Sequence, residues 1–408
     1  MLYFRNVYRQ LHEMPELSGM ERETAQRAAD FLSSLKFFQV HTGIGGYGVV
    51  GVFRNGDGPK LLLRADMDAL PLKEETGLSY ASKKVMKDRF GQEKPVMHAC
   101  GQDTHVASLM AVAKLLVDAR GHWQGTLVCL FQPSEEHLNG AQAMVDDALY
   151  ESGRIPRPDV VLAQHVDNDP CGRITMKSGP ALTASSTLAV RIFGRGGHGS
   201  SPQDCVDPIV IGCSTVAKLQ TIVSREIDPN QLAVVTCGSI HAGDAPNIIP
   251  EYLDLTINIR SLSPIIHSRI LDAIGRIVEG ECRTSGCDRP PTITTLQSSP
   301  VTINDESTFE ILKGSFSSYF GTDFTEMDVA TASEDVSILA TAAGAPLVMW
   351  FFGGSNSTKW NDAKERGKLE EIPQNHSELF APVIECLDVA VDAMALAALT
   401  LFTSRHRS

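Results

Sequence analysis

Five short segments of this 408-residue chain concentrate the residue types that hold metal ions and move protons. They are Asp66-Met-Asp68, the run His98-Ala-Cys100-Gly-Gln102-Asp103-Thr-His105, the triplet Glu135-Glu136-His137, the single His165, and Asn375-His376-Ser377. Thiolate, imidazole and carboxylate groups gathered at one place suit a borderline divalent ion such as Zn²⁺ or Mn²⁺. The adjacent carboxylates add a second capacity, since one can stay on a cation while its neighbour exchanges a proton with water. Taken singly, each segment has a plain structural reading. His165 is then a hydrogen-bonded core histidine, Cys100 a buried thiol and Glu135-Glu136 a solvated face. Chemistry requires that the fold bring them together.

The elements that would do so are visible as apolar runs. Residues 60–64, 126–131, 159–163 and 346–352 lack polar alternation, which predicts strands covered on both faces. Helix-period stretches at 104–119 and 140–150 lie between them, so the expected class is α/β with a mostly parallel sheet. Ligands in such sheets bind beyond the carboxyl ends of the strands, where Asp66-Met-Asp68, Glu135-Glu136 and His165 fall. The middle of the chain changes character. Strands at 188–193, 233–240 and 252–259 read as covered on one face, with helices at 208–225 and 263–280 between them. This predicts an inserted α+β module of the β-α-β-β-α-β kind at 183–296, a lid and dimerisation domain, leaving a discontinuous metal-binding catalytic domain at 1–182 and 297–408. Exposed edge strands in such a module favour pairing with a second copy, so a homodimer is expected. Residues 353–374 read as a long polar loop.

Composition narrows the partners. Lys plus Arg number 36 against 49 Asp plus Glu, a net charge of −13 that repels a nucleic-acid backbone. The 9 cysteines have no repeated spacing and several lie in apolar runs, as expected of reduced thiols in a cytoplasmic protein. No uninterrupted apolar run reaches the length of a membrane span, so no membrane partner is expected.

The order and spacing of these segments resemble a known family. Arg9-Gln-Leu-His12-Glu-Met-Pro15-Glu16, the segment 64–71, the segment 98–105, Gln132 to Glu136, Gly194-Arg-Gly-Gly-His198, Ala245-Pro-Asn247-Ile-Ile-Pro250 and Asn375-His376-Ser377 resemble the M20 metallopeptidases and amidohydrolases. The similar branch is that of hippurate hydrolases and plant auxin-conjugate hydrolases. The resemblance implies metal-dependent hydrolysis of the amide bond of an N-acyl amino acid or a similar small amide, with one or two divalent ions per chain. It implies ligands at Cys100, Glu136, His165 and His376, with Glu135 as general base and Asp68 holding a ligand or orienting that base. It further implies His198 as an oxyanion donor reaching a partner subunit's site, and Asn247 and Arg260 as binders of the substrate carboxylate. A sister branch of carboxypeptidases and dipeptidases is set apart by His-x-Asp where this chain has Asp66-Met-Asp68.

One position departs from the pattern. The family run Cys-Gly-His-Asp-x-His places a metal-binding histidine where this chain has Gln102. An amide oxygen is a poorer partner for these ions than an imidazole nitrogen. Three readings stay open at this point: an active hydrolase with one firm ion or an amide-tolerant second site, a hydrolase carrying an inactivating substitution, and an M20-fold protein turned to another amide reaction in biosynthesis or to binding alone. His137 offers a nitrogen that could compensate.

Overall fold

The computed structural model describes residues 1–404, and the elements that matter to the site run as follows. In chain order they are α1 (Leu2–Glu13), α2 (Arg22–Ser34), β1 (Gln39–Ile44), β2 (Gly48–Asn55), β3 (Lys60–Asp66), α3 (Gln102–Asp118), β4 (Gly125–Gln132), α4 (Gly140–Asp146), β5 (Val160–Pro170), β6 (Ile174–Met176), β7 (Ala184–Phe193), α5 (Pro208–Thr221), β8 (Ala233–His241), β9 (Tyr252–Ser261), α6 (Pro264–Thr284), β10 (Thr292–Ser299), α7 (Glu306–Phe320), β11 (Phe324–Glu326), α8 (Val336–Ala343), β12 (Leu347–Ser355), α9 (Ser357–Glu365) and α10 (Cys386–Ser404). They fall into two compact units. The larger comprises Met1–Ala181, Ile303–Asp328 and the chain from Asp335 onward; the smaller comprises Leu182–Thr302 and Val329–Glu334.

The larger unit is built on one sheet of order β1-β2-β4-β3-β5-β12-β6-β11. Its four central strands, β4, β3, β5 and β12, are mutually parallel and are the four apolar runs of the sequence. Their lack of alternation has a direct cause, because both faces are covered. Leu61, Leu63, Leu127, Cys129, Leu162, Val348 and Trp350 enter one core together with residues of α1, α2, α3, α7 and α10. Leu62, Val128, Leu130, Val161 and Met349, one residue out of phase, are equally buried, and α4 and α8 contact the sheet through β4 and β5. The sequence did not reveal the edges. An antiparallel β1–β2 hairpin flanks β4 on one side, and β6 runs antiparallel to β12 on the other.

One expectation is corrected, and one helix joins those read from the sequence. Residues 353–374 are not a loop, because β12 continues to Ser355 and α9 follows, its N-terminus capped by Asn356, whose side chain accepts from the Lys359 N–H. Trp360, Ala363 and Ile372 make a small core of their own there. The helix α10, unremarked in the sequence, is long and apolar enough to cross a membrane, yet it packs on α3 and α7 with Ala390, Ala393, Met394 and Ala397 in the main core. It is a core helix by its contacts.

The smaller unit carries the antiparallel sheet β8-β9-β7-β10 with α5 and α6, the expected β-α-β-β-α-β order. Alternate residues Leu188, Val190, Ile192, Leu253, Leu255, Ile257 and Ile259 form its core with Ile270, Ile274 and Val278 of α6. Both helices start as their sequences dictate, with a capping Asp207 or Ser263 followed by proline at the first turn.

Two buried charge networks hold the larger unit. Arg64, on β3, meets Asp66 at 3.1 Å and Asp335 at 3.5 Å and donates to Gln132 Oε1 at 2.9 Å, with both carboxylates fully buried. His12 of α1 lies between Asp103 (2.6 Å) and Glu74 (3.0 Å). Burial opposes its charge, but Asp103 and Glu74 outweigh burial and raise its pKa to about 10. Substituting Arg64→Leu strands buried carboxylates and should cost about 3–5 kcal/mol in urea unfolding, as for other one-sided removals of a buried pair. The stability that His12 contributes is complete below its unfolded value of 6.5 and is lost as pH rises toward about 10. The difference in stability between wild type and His12→Leu should therefore shrink between pH 7 and pH 10.5; a constant difference would show that the imidazole is not held charged.

Candidate metal centre

The chain leaves β3 through Asp66-Met67-Asp68, and Asp68 is wholly buried. Its Oδ1 accepts the Glu135 N–H at 3.0 Å, and its Oδ2 accepts the Glu136 N–H at 2.9 Å and the Ser18 hydroxyl at 2.6 Å. Asp68 therefore fixes the backbone of the carboxylate pair. Burial, then the nearby Glu21 and Glu136 carboxylates, pushes its pKa up against those three donors. Beyond β4 the turn is sharp. Ser134 has φ 55°, and Gly140 has no room for a side chain, since a Cβ there would lie 1.6 Å from Pro133 O.

Cys100 precedes α3 by one glycine. Gly101 has φ +77° and a Cβ on it would meet Val166 Cγ1 at 2.4 Å, so only glycine lets the thiol reach β5. Cys100 Sγ lies 3.5 Å from His165 Nε2 and 3.2 Å from His376 Nε2, and His376 Nε2 lies 3.3 Å from Glu136 Oε2. A tetrahedral ion with bonds of about 2.0–2.3 Å keeps its donors about 3.4–3.6 Å apart. Cys100, Glu136 and His376 thus fit the edges of one such site, and His165 Nε2 lies within reach of the same thiol.

Each imidazole is set by its second nitrogen. His165 Nδ1 donates to Val166 O at 2.6 Å, which leaves the Nε2 lone pair facing Cys100. Burial, reinforced by His105, lowers the His165 pKa to about 3, so the ring is neutral, as a ligand must be. His105 is excluded as a ligand. Its Nδ1 lies on Asp66 at 2.5 Å and its Nε2 accepts the Val166 N–H at 2.9 Å, so both nitrogens are committed. The Cys100 thiol is raised by burial first and then by Glu136 and Glu135. His376 is raised chiefly by its hydrogen bond with Glu136.

Gln102 sits at the same place but presents its donor end. Its Nε2 donates to Glu135 Oε2 at 3.2 Å and to Glu136 Oε1 at 3.1 Å, while its buried Oε1 has no hydrogen-bond partner among the described residues. His137 offers no compensation, because its Nδ1 faces Ser134 Oγ at 3.4 Å and it is not among the donors around Cys100. One positioning residue escaped the sequence reading as such. Asn375 Nδ2 donates to Cys100 O at 3.3 Å and to Val166 O at 3.1 Å, and so ties the His376 loop to the segments that carry Cys100 and His165. Its adjacency to His376 was visible, but the carbonyls that it serves are set only by the fold.

The remaining candidates belong to the smaller unit. His198 and Asn247 share a short ribbon in which Gly197–His198 pairs with Ile248–Ile249, and both are exposed. His198 Nδ1 accepts from the Ser200 N–H (3.1 Å) and hydroxyl (2.8 Å), so a neutral ring carries its proton on the outward Nε2. Arg260 does not join them. It lies at the far end of β9 from this ribbon, eight residues past Tyr252, a separation of about 25 Å or more at strand rise. Its Nη1 donates to Thr331 O and Ser333 Oγ. The ribbon carrying Asn247 and the Arg260 side chain thus stand toward opposite ends of β9.

The Asn375 bridge yields a quantitative expectation. Asn375→Ala removes both hydrogen bonds that orient the His376 loop and should weaken ion affinity about 10–100-fold while leaving the thermal midpoint of the ion-free protein nearly unchanged. Unaltered affinity in a competitive chelator titration would remove the positioning role.

The sequence profile of Peptidase family M20/M25/M40 matches residues 62–384. Hippurate hydrolase of Campylobacter jejuni is 37% identical over 338 residues, covering 81% of this chain and 83% of that protein. IAA-amino acid hydrolase ILR1-like 2 of Arabidopsis thaliana is 32% identical over 340 residues, covering 82% and 73%. A protein of methicillin-resistant Staphylococcus aureus classed as an aminohydrolase superposes with a TM-score of 0.84 at 28% identity, covering 98% of this chain and 96% of that one. On both the matched profile and these relatives, this chain belongs to Peptidase family M20/M25/M40.

Proposed function

We propose that the chain hydrolyses the amide bond of an N-acyl amino acid, and the observation that carries this reading is the Cys100–His165–His376–Glu136 cluster set beside the second carboxylate, Glu135. Relatives named for hydrolysis of hippurate and of IAA–amino acid conjugates support the substrate class. The donor set suits Zn²⁺ or Mn²⁺, held by Cys100, His165, His376 and Glu136. When bound, the ion supplies Lewis-acid polarisation of the amide carbonyl and acidification of water.

The protein's own groups do the rest. Glu135, buried and held at its backbone by Asp68, takes the proton of the attacking water and passes it to the departing amine nitrogen as the C–N bond breaks, giving a carboxylic acid and a free amino acid. Its placement on Asp68 keeps the carboxylate in one position through both transfers. His198, with its proton on the outward Nε2, has the donor that a tetrahedral oxyanion needs. The distance between Asn247 and Arg260 along β9 supports a substrate pocket completed by two copies of the chain, hence a homodimer. The exposed outer strand β10 supplies an edge for such pairing. Free cysteines throughout the described residues support a reducing, cytoplasmic setting.

Glu135→Gln tests the assignment. The variant should keep its metal content and lose about a hundredfold or more in kcat for an N-acyl amino acid, with little change in KM. If Glu135→Gln sheds the ion and Glu136→Gln retains it, the two carboxylates have exchanged roles.

A further inference from the structure

We infer that the Gln102 amide takes the place of a second metal ion, so that the centre holds a single ion per chain and Gln102 acts as a positioning residue for both carboxylates. The inference rests on the metal-dependent reading above and concerns how many ions that site accepts.

The geometry of Glu136 divides the site in two. Its Oε2 faces His376 Nε2 at 3.3 Å, on the side of the Cys100 and His376 donors, where the spacing fits one ion. Its Oε1 faces Gln102 Nε2 at 3.1 Å, and the same nitrogen reaches Glu135 Oε2 at 3.2 Å. The two hydrogens of one NH₂ group are thus shared between two adjacent carboxylates. They supply, as partial positive charge, the compensation that a cation between those carboxylates would otherwise give.

The side chain has one atom able to bind a cation, Oε1, and this orientation does not direct it at the carboxylates. Turning the amide over would set a carbonyl dipole against two carboxylates and leave both without that donor. The buried Oε1, lacking a hydrogen-bond partner among the described residues, is what this orientation costs. An ion on Glu136 Oε1 would have to displace the NH₂ group and accept a neutral oxygen in place of an imidazole nitrogen. Gln102 is also the first residue of α3 and is wholly buried. The amide cannot readily withdraw.

The count of ions is directly measurable. Wild-type protein is saturated with Zn²⁺ alone or Mn²⁺ alone, freed of loosely held ions by gel filtration and analysed for metal per chain; the expected result is one. Gln102→His should raise the count to two, and Gln102→Ala should leave it at one, because the amide is not a ligand. Titration with Co²⁺ gives a second readout, with the thiolate-to-cobalt absorption saturating at one equivalent in wild type. Two tightly held ions in wild type, with one lost in Gln102→Ala, would overturn the inference. A turnover assay on the same samples keeps the two questions apart. Two ions with hydrolysis would refute the single-ion centre and leave the proposed function standing, whereas one ion without hydrolysis of N-acyl amino acids would do the reverse.

Discussion

A guanidinium with almost no water around it sets the terms for the metal-bearing edge. Arg64 is 1% exposed, at the carboxyl-terminal end of β3, and its charge is met by Asp66, Asp335 and the Gln132 amide at the end of β4. Asp66 in turn holds His105 of α3, whose other nitrogen receives the Val166 N–H of β5. The charge is compensated only when the ends of three neighbouring strands and the start of α3 are in register. An unpaired cation at such depth is too unfavourable for alternative registers to compete.

From that fixed edge, short anchors place the reactive groups. Asp68 holds two consecutive backbone N–H groups, Gly101 lets α3 begin against β5, and Asn375 spans the Cys100 and Val166 carbonyls. The donors come from four distant stretches of chain, yet each is tied within a residue or two to the same sheet edge. The arrangement is pre-organised by the backbone, and the electrostatics follow. His165 is neutral because desolvation and the neighbouring His105 outweigh the Asp66 carboxylate and the Val166 carbonyl, while His376, touching Glu136, is drawn the other way.

How much of this was legible in the sequence depends on burial. The parallel strands β3, β4, β5 and β12 announced themselves because covering on both faces demands uninterrupted apolar residues. The edge strands β1 and β11 are short or mixed in pattern, since their environment makes no such demand, and β6, though buried, is only three residues long. Helix α9 was hidden because only Trp360 and Ala363 are buried along it, although Asn356 marked its start. The residue types at the centre were readable from their place after the strands, and the M20 resemblance ordered them. The direction of the Gln102 amide, the commitment of both His105 nitrogens and the distance from Asn247 to Arg260 were not readable. Those are properties of side-chain partners and strand register, which spacing alone does not encode.

The four side chains proposed as donors are not equally secured by their backbone. Cys100 and Glu136 sit on backbone pinned to the sheet, and His165 lies within β5 itself. His376 holds a left-handed backbone conformation (φ 68°) with a side chain 54% exposed, on a loop fastened by its own N–H to Ala99 O and by Asn375. Releasing those few hydrogen bonds lets the strained residue relax to an ordinary conformation and opens the coordination sphere toward water without disturbing the sheet. If these side chains hold an ion, His376 would be the last donor to arrive and the first to leave, and the ion's residence time would follow the lifetime of one loop conformation.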